Sequence, residues 1–74
     1  MGESGDNLTL DWDASYEIVL ALMRMYPDVD VNSVGLLQMK EMIVALPNFV
    51  DDPTLAHDGL LRDILREWFE EKYP

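Results

Sequence analysis

Cysteine is absent from the 74 residues, which excludes disulfides and thiolate metal sites at once. Histidine occurs once, at His57. No second imidazole can complete a metal pair with it, and Ser15 and Ser33 have no other base to form a catalytic constellation. No Gly-rich phosphate loop is present, so the chain is not expected to be an enzyme or to hold a tight cofactor. The longest apolar run, around Ile18 to Met23, is far shorter than the roughly 20 residues that span a bilayer. The start, Met1-Gly2-Glu3-Ser4-Gly5-Asp6-Asn7, lacks the basic residues and apolar run of a signal peptide. Asp6 also stands where a myristoylation signal needs Ser or Thr. A soluble, cytoplasmic protein is expected.

Base is scarce too. Five Lys and Arg residues face fifteen Asp and Glu, for a net charge of −10. The excess lies at the two ends of the chain. Residues 1–30 hold Glu3, Asp6, Asp11, Asp13, Glu17, Asp28 and Asp30 against Arg24 alone, and Glu41 and Lys40 cancel in the middle. Residues 51–74 carry seven acids against Arg62, Arg66 and Lys72. Such a field repels phosphate backbones and anionic lipid and steers the chain onto basic surfaces. Nucleic acid and membrane are poor first choices of partner, and a basic protein surface is expected. The plain alternative is that the acids only keep a small domain soluble.

A chain this short is one domain, burying roughly 60% of its unfolded surface. Residues 1–7 read as a disordered leader, and 8–74 as the domain, with order beginning near Leu8–Trp12. Asp13 is placed to cap a first helix carrying Ile18, Leu22 and Met25 at i, i+4, i+7, with Val19 and Tyr26 widening the stripe. Pro27 ends it at Met25 or Tyr26. The segment 28–33 is a turn-rich connector with a short helical turn from Asp30 or Asn32. A second helix runs from Leu36 to Leu46 with Met39, Met42 and Ile43 inward, stopped by Pro47. Asn48 to Pro53 forms a loop pinned by Phe49. The third runs from Asp58 or Gly59 to Glu71 with Leu61, Ile64, Leu65 and Trp68 inward. The only strand-like alternation is 8–12. The expected fold is all-α with three main helices.

Plain structural roles suffice for most distinctive residues: Met25, Met39 and Met42 as core filler, Trp12 as a buried lock, His57 as a loop residue. Trp68 is expected to stay partly exposed as a contact anchor, since the domain is thin. The carboxylates are more informative. Asp13 and Glu17 share one helix face, with Asp11 just upstream. Asp28 and Asp30 sit in the turn below, and Asp51 and Asp52 are adjacent in a loop. Hard cations accept such oxygen ligands, but no EF-hand spacing is present. Any site would be shallow and weak. A solvated face and a docking face are the competing readings.

Read in order, Trp12-Asp13, Glu17-Ile18, Ala21-Leu22 and Tyr26-Pro27-Asp28-Val29-Asp30 lead through Val34, Met39, Ile43, Leu46 and Phe49. Asp51-Asp52-Pro53 and then Leu61, Ile64 and Trp68 follow. Over residues 10–72 this pattern resembles the IscX (YfhJ) family of bacterial iron–sulfur cluster assembly. The Tyr-Pro-Asp-x-Asp turn and the Phe-x-Asp-Asp-Pro loop are its most specific parts. The resemblance implies a modified winged-helix domain, expected to be a monomer, whose acidic face docks on a basic surface of cysteine desulfurase in competition with frataxin and ferredoxin. It also implies weak iron binding, in the role of adaptor or rate modulator. Carried onto this chain, the family's acidic positions are Asp13, Glu17, Asp28, Asp30, Asp51, Asp52, Glu70 and Glu71. Asp11, Asp13, Glu17, Asp28, Asp30, Trp68, Glu70 and Glu71 are the expected partner contacts. Asp13, Glu17, Asp28, Asp30, Asp51 and Asp52 are the expected iron ligands. Leu46-Pro47-Asn48 and Val50 stand where family members often carry acid, which weakens the Asp51/Asp52 loop as an iron site more than it affects docking.

Two rivals come from other classes. An acyl or peptidyl carrier would place phosphopantetheine on Ser33, ahead of the Met39 helix. However, the carrier motif Asp-Ser-Leu is Asn32-Ser33-Val34 here, and the Trp pair and Tyr-Pro-Asp turn are foreign to carriers. A winged-helix DNA binder, suggested by fold analogy alone, needs a basic recognition helix, and the 36–46 segment offers only Lys40.

Overall fold

A computed structural model describes residues 9–74. The expected leader and Leu8 lie outside the described residues. Three α-helices form the domain: α1 (Ser15–Met25), α2 (Leu36–Val44) and α3 (Asp58–Lys72). Two 3-10 turns, Val31–Ser33 and Pro53–Leu55, sit in the connections. No strand forms among the described residues. The Leu8–Trp12 alternation is realised as one isolated parallel bridge between Leu10 and Phe49. Leu10 N–H donates to Asn48 O at 2.8 Å and its carbonyl accepts from Val50 N at 3.0 Å. The period of two still operates there: Leu10 and Trp12 are buried while Thr9 and Asp11 are exposed.

The core is one cluster drawn from every element. Ile18, Val19 and Leu22 of α1 meet Met39 and Ile43 of α2 and Leu61, Ile64 and Trp68 of α3, with Leu10, Trp12, Val31, Val34 and Leu46 closing the ends. Burying each of these side chains contributes about 1.5–3 kcal/mol relative to leaving it in water. Met25 is a correction to the expected stripe, being 51% exposed. The buried triad centres the α1 stripe between Ile18 and Val19, which leaves Met25 on its edge where the helix ends. Tyr26, half-buried, covers that end instead.

Helix boundaries follow local chemistry. Asp13 is not the cap of α1; Ala14 occupies that position and offers no side-chain bond. Asp11 organises the entry, its Oδ1 accepting from Asp13 N at 3.0 Å and its carbonyl from Ala14 N at 3.1 Å. Helix α2 ends two residues earlier than expected, at Val44, because the chain tightens: Leu46 N–H donates to Ile43 O. His57 caps α3, its Nδ1 accepting from Leu60 N at 3.2 Å. That bond gives the lone histidine a structural role and takes up the ring nitrogen nearest the helix.

Two long-range ties fix α3 against α1, on which it chiefly packs. Ser15 Oγ donates to Glu67 Oε1 at 3.1 Å. At the other end Lys72 Nζ donates to the carbonyls of Pro27 and Val29, and its charge also suits the last turn of the helix. The Tyr-Pro-Asp-x-Asp turn is thus clamped from outside by α3.

Candidate functional site: an acidic interaction face

The structure sorts the expected site residues by what their oxygens already hold. Three aspartates close Asx-turns, accepting from the backbone N–H two residues on. Asp11 does so toward Asp13, Asp30 toward Asn32 at 3.1 Å, and Asp52 toward Thr54 at 2.9 Å. Asp30 also accepts from Ser33 Oγ through its second oxygen, at 3.2 Å. This bond holds the carrier-type serine in the Val31–Ser33 turn. Asp52 accepts a further bond from Thr54 Oγ1 at 2.9 Å. The Thr54 amide and then its hydroxyl hold the Asp52 carboxyl below the usual carboxylate value.

Asp51 is committed on both sides. Its Oδ2 accepts from Trp12 N at 3.1 Å and its Oδ1 from Asp52 N at 2.7 Å. Trp12 Nε1 donates to Asp52 O at 2.8 Å, and its ring meets Phe49 edge-on at 4.7 Å between centroids. The Phe-x-Asp-Asp-Pro loop is therefore a clasp that closes the N-terminal segment over the core.

The carboxylates of Asp13, Glu17, Asp28, Glu70 and Glu71 are exposed and make no hydrogen bond or ion pair among the described residues. Glu17 sits in the first turn of α1, where a negative charge suits the helix dipole. The Ser15–Glu67 bond brings α3 against the start of α1, next in sequence to Asp13 and Glu17, and the Lys72 bonds bring its last turn against the turn that holds Asp28. Glu67 joins this face and was missed in the sequence reading. Its signal was the run Asp63, Glu67, Glu70, Glu71 at i, i+4, i+7, i+8 along one side of α3.

One expectation needs correction. Trp68 is 0% exposed, so it is a core residue and presents no surface to a partner. The inward stripe of α3 centres on it, and the domain proves thick enough to cover its ring. The expected metal ligands Asp13, Glu17, Asp28, Asp30, Asp51 and Asp52 were read as separate small clusters, and no larger group gathers them among the described residues. Among the described residues no group of three or more His, Cys, Asp or Glu side chains could hold a metal ion. Asp30 has both oxygens engaged within its own turn, Asp51 has one held locally and one by Trp12, and Asp52 has one engaged. No helix among the described residues is long and apolar enough to cross a membrane.

The fold and the charge define a small all-α acidic domain. The family model described as iron–sulphur cluster assembly matches residues 10–73. The chain belongs to that accessory family, the one of IscX and YfhJ, which is linked functionally to cysteine desulfurase. It is also similar to an uncharacterized protein of Pseudomonas aeruginosa, 32% identical over 65 residues that cover 88% of this chain and 98% of that relative.

Proposed function

We propose that this chain is a non-catalytic accessory protein of iron–sulfur cluster assembly that docks on a basic surface of cysteine desulfurase and modulates the rate of assembly. The observation that carries the reading is the set of five exposed, unpartnered carboxylates, Asp13, Glu17, Asp28, Glu70 and Glu71, on a chain of net charge −10. No Lys or Arg pairs with them among the described residues, so their charge is best met by a partner's Lys and Arg side chains. Frataxin and ferredoxin compete for the same basic surface on this reading. Iron binds weakly to the same face through water-rich oxygen coordination.

Surface plasmon resonance against the desulfurase tests the docking. Exposed charges are screened beyond roughly 8 Å at physiological ionic strength, so affinity falls steeply with salt. Replacing Asp13 by Asn and Glu17 by Gln together slows association more than it speeds dissociation. Salt-independent affinity would refute docking through this face.

A further inference from the structure

We propose that the groove between α3 and the Val31–Val34 turn is a second docking site, shaped for an acidic segment of a partner protein that carries an apolar side chain. The groove encloses about 410 Å³, with Arg62, Arg66, Leu65 and Phe69 on one wall and Val31 and Val34 on the other. Arg62 and Arg66 are two of only five basic residues in the chain. Despite fifteen acids, neither guanidinium makes a hydrogen bond or ion pair among the described residues. Their spacing of four puts both on one face of α3, and Leu65, Phe69 and Tyr73 fall on that face as well. Phe69 is 39% exposed and Tyr73 40%, their rings 4.9 Å apart between centroids.

This composition differs from the acidic face in kind. Arginine and aromatic side chains are the residues that dominate interface energetics. A guanidinium matches a carboxylate with two parallel hydrogen bonds. Charge complementarity therefore selects an anionic occupant, and the apolar wall selects one with an aliphatic or aromatic side chain. Nucleic acid and anionic lipid would bring extended runs of phosphate against a net charge of −10, whereas a short segment brings only the one or two carboxylates that the two arginines can pair. Asp63, Glu67, Glu70 and Glu71 do not line the groove, and Glu70, four residues after Arg66, stands at its edge. Asp58, one turn before Arg62, and Asp30, beside the Val31–Ser33 turn, bound the positive stretch, so the occupant is a short segment.

Titration of the isotope-labelled full chain by NMR tests the site. The probe is a short synthetic peptide carrying two Glu one helical turn apart with Leu between them. Its Gln counterpart is the control. Amide shifts are expected at residues 31–34 and 62–69, with affinity reduced about tenfold or more in Arg62→Gln/Arg66→Gln through loss of the charged pairs. Phe69→Ala is expected to weaken binding of the same peptide, and circular dichroism confirms that these surface variants fold. The proposal fails if the groove amides do not respond, or if the Gln peptide shifts them equally. It also fails if they shift with protein concentration alone, which would make a second copy of this chain the occupant.

Discussion

Asp51 offers the sharpest separation between a structural and a recognition carboxylate. Its Oδ2 accepts from the part-buried Trp12 N at 3.1 Å, and a hydrogen bond to a charged group contributes about 1.5–3 kcal/mol. The second bond, to Asp52 N, is exposed, and water replaces it at little cost. Asp51→Ala is therefore expected to lose about 2 kcal/mol, chiefly because the Trp12 N–H is left without its acceptor. For a domain of 60–100 residues each kcal/mol moves Tm by about 4–8 °C, so the drop is about 8–16 °C. Asp51→Asn keeps an oxygen near the same place and should lose less than half as much. Thermal unfolding followed by circular dichroism gives both values, and Trp fluorescence reports whether the clasp over the core has opened. If Asp51→Ala melts with the parent while desulfurase binding collapses, the carboxylate serves the partner and the clasp argument is wrong.

Asp52 makes a pH prediction. Its folded-state carboxyl is held below the usual value by the Thr54 amide and hydroxyl, so its contribution is complete above the unfolded-state pKa and is lost as pH falls through the folded one. Thr54→Ala removes the hydroxyl but keeps the amide, so it should raise the Asp52 titration midpoint part of the way toward the ordinary carboxylate value, read from the side-chain carbon by NMR; an unmoved midpoint refutes the hydroxyl's share. For metal, titration with Mn²⁺ should broaden amides near Asp13, Glu17 and Asp28 before those near Asp51 and Asp52, with affinity of order micromolar or weaker. Broadening that begins at Asp51 and Asp52 would show that their engaged oxygens are exchangeable after all.

The three helices were legible because each carries an apolar stripe at helical spacing and two of them run into a proline, Pro27 or Pro47. What stayed hidden depends on contacts between residues far apart in sequence. No local pattern joins Ser15 to Glu67 or Lys72 to the Pro27 turn. The 3-10 turn Pro53–Leu55 was too short to show periodicity. Its signal was Asp52 followed by Pro53 and Thr54, an Asx acceptor with proline at the first helical position. The half-exposed placement of Trp68 failed because it was judged from the size of the domain. Its i, i+4 relation to Ile64 was the better guide.

The acidic motifs show why composition alone could not divide structure from function. An aspartate in a loop is both a ligand type and an acceptor for the backbone two residues on. Asp11, Asp30 and Asp52 all take the second role, and two of them belong to the motifs that mark the family. The bond uses an oxygen without removing the charge. These residues therefore still add to the long-range field that steers the chain toward a basic surface, while having less capacity for direct contact. On the proposed docking, direct contact falls to carboxylates with free oxygens, and Glu70 and Glu71 place two of them on the same helix as Arg62 and Arg66. Because Leu61, Ile64 and Trp68 anchor that helix in the core, its acidic and basic sides are held in fixed relation. On the two proposals made above, a partner bound at one side of α3 would leave the other side oriented and open to a second.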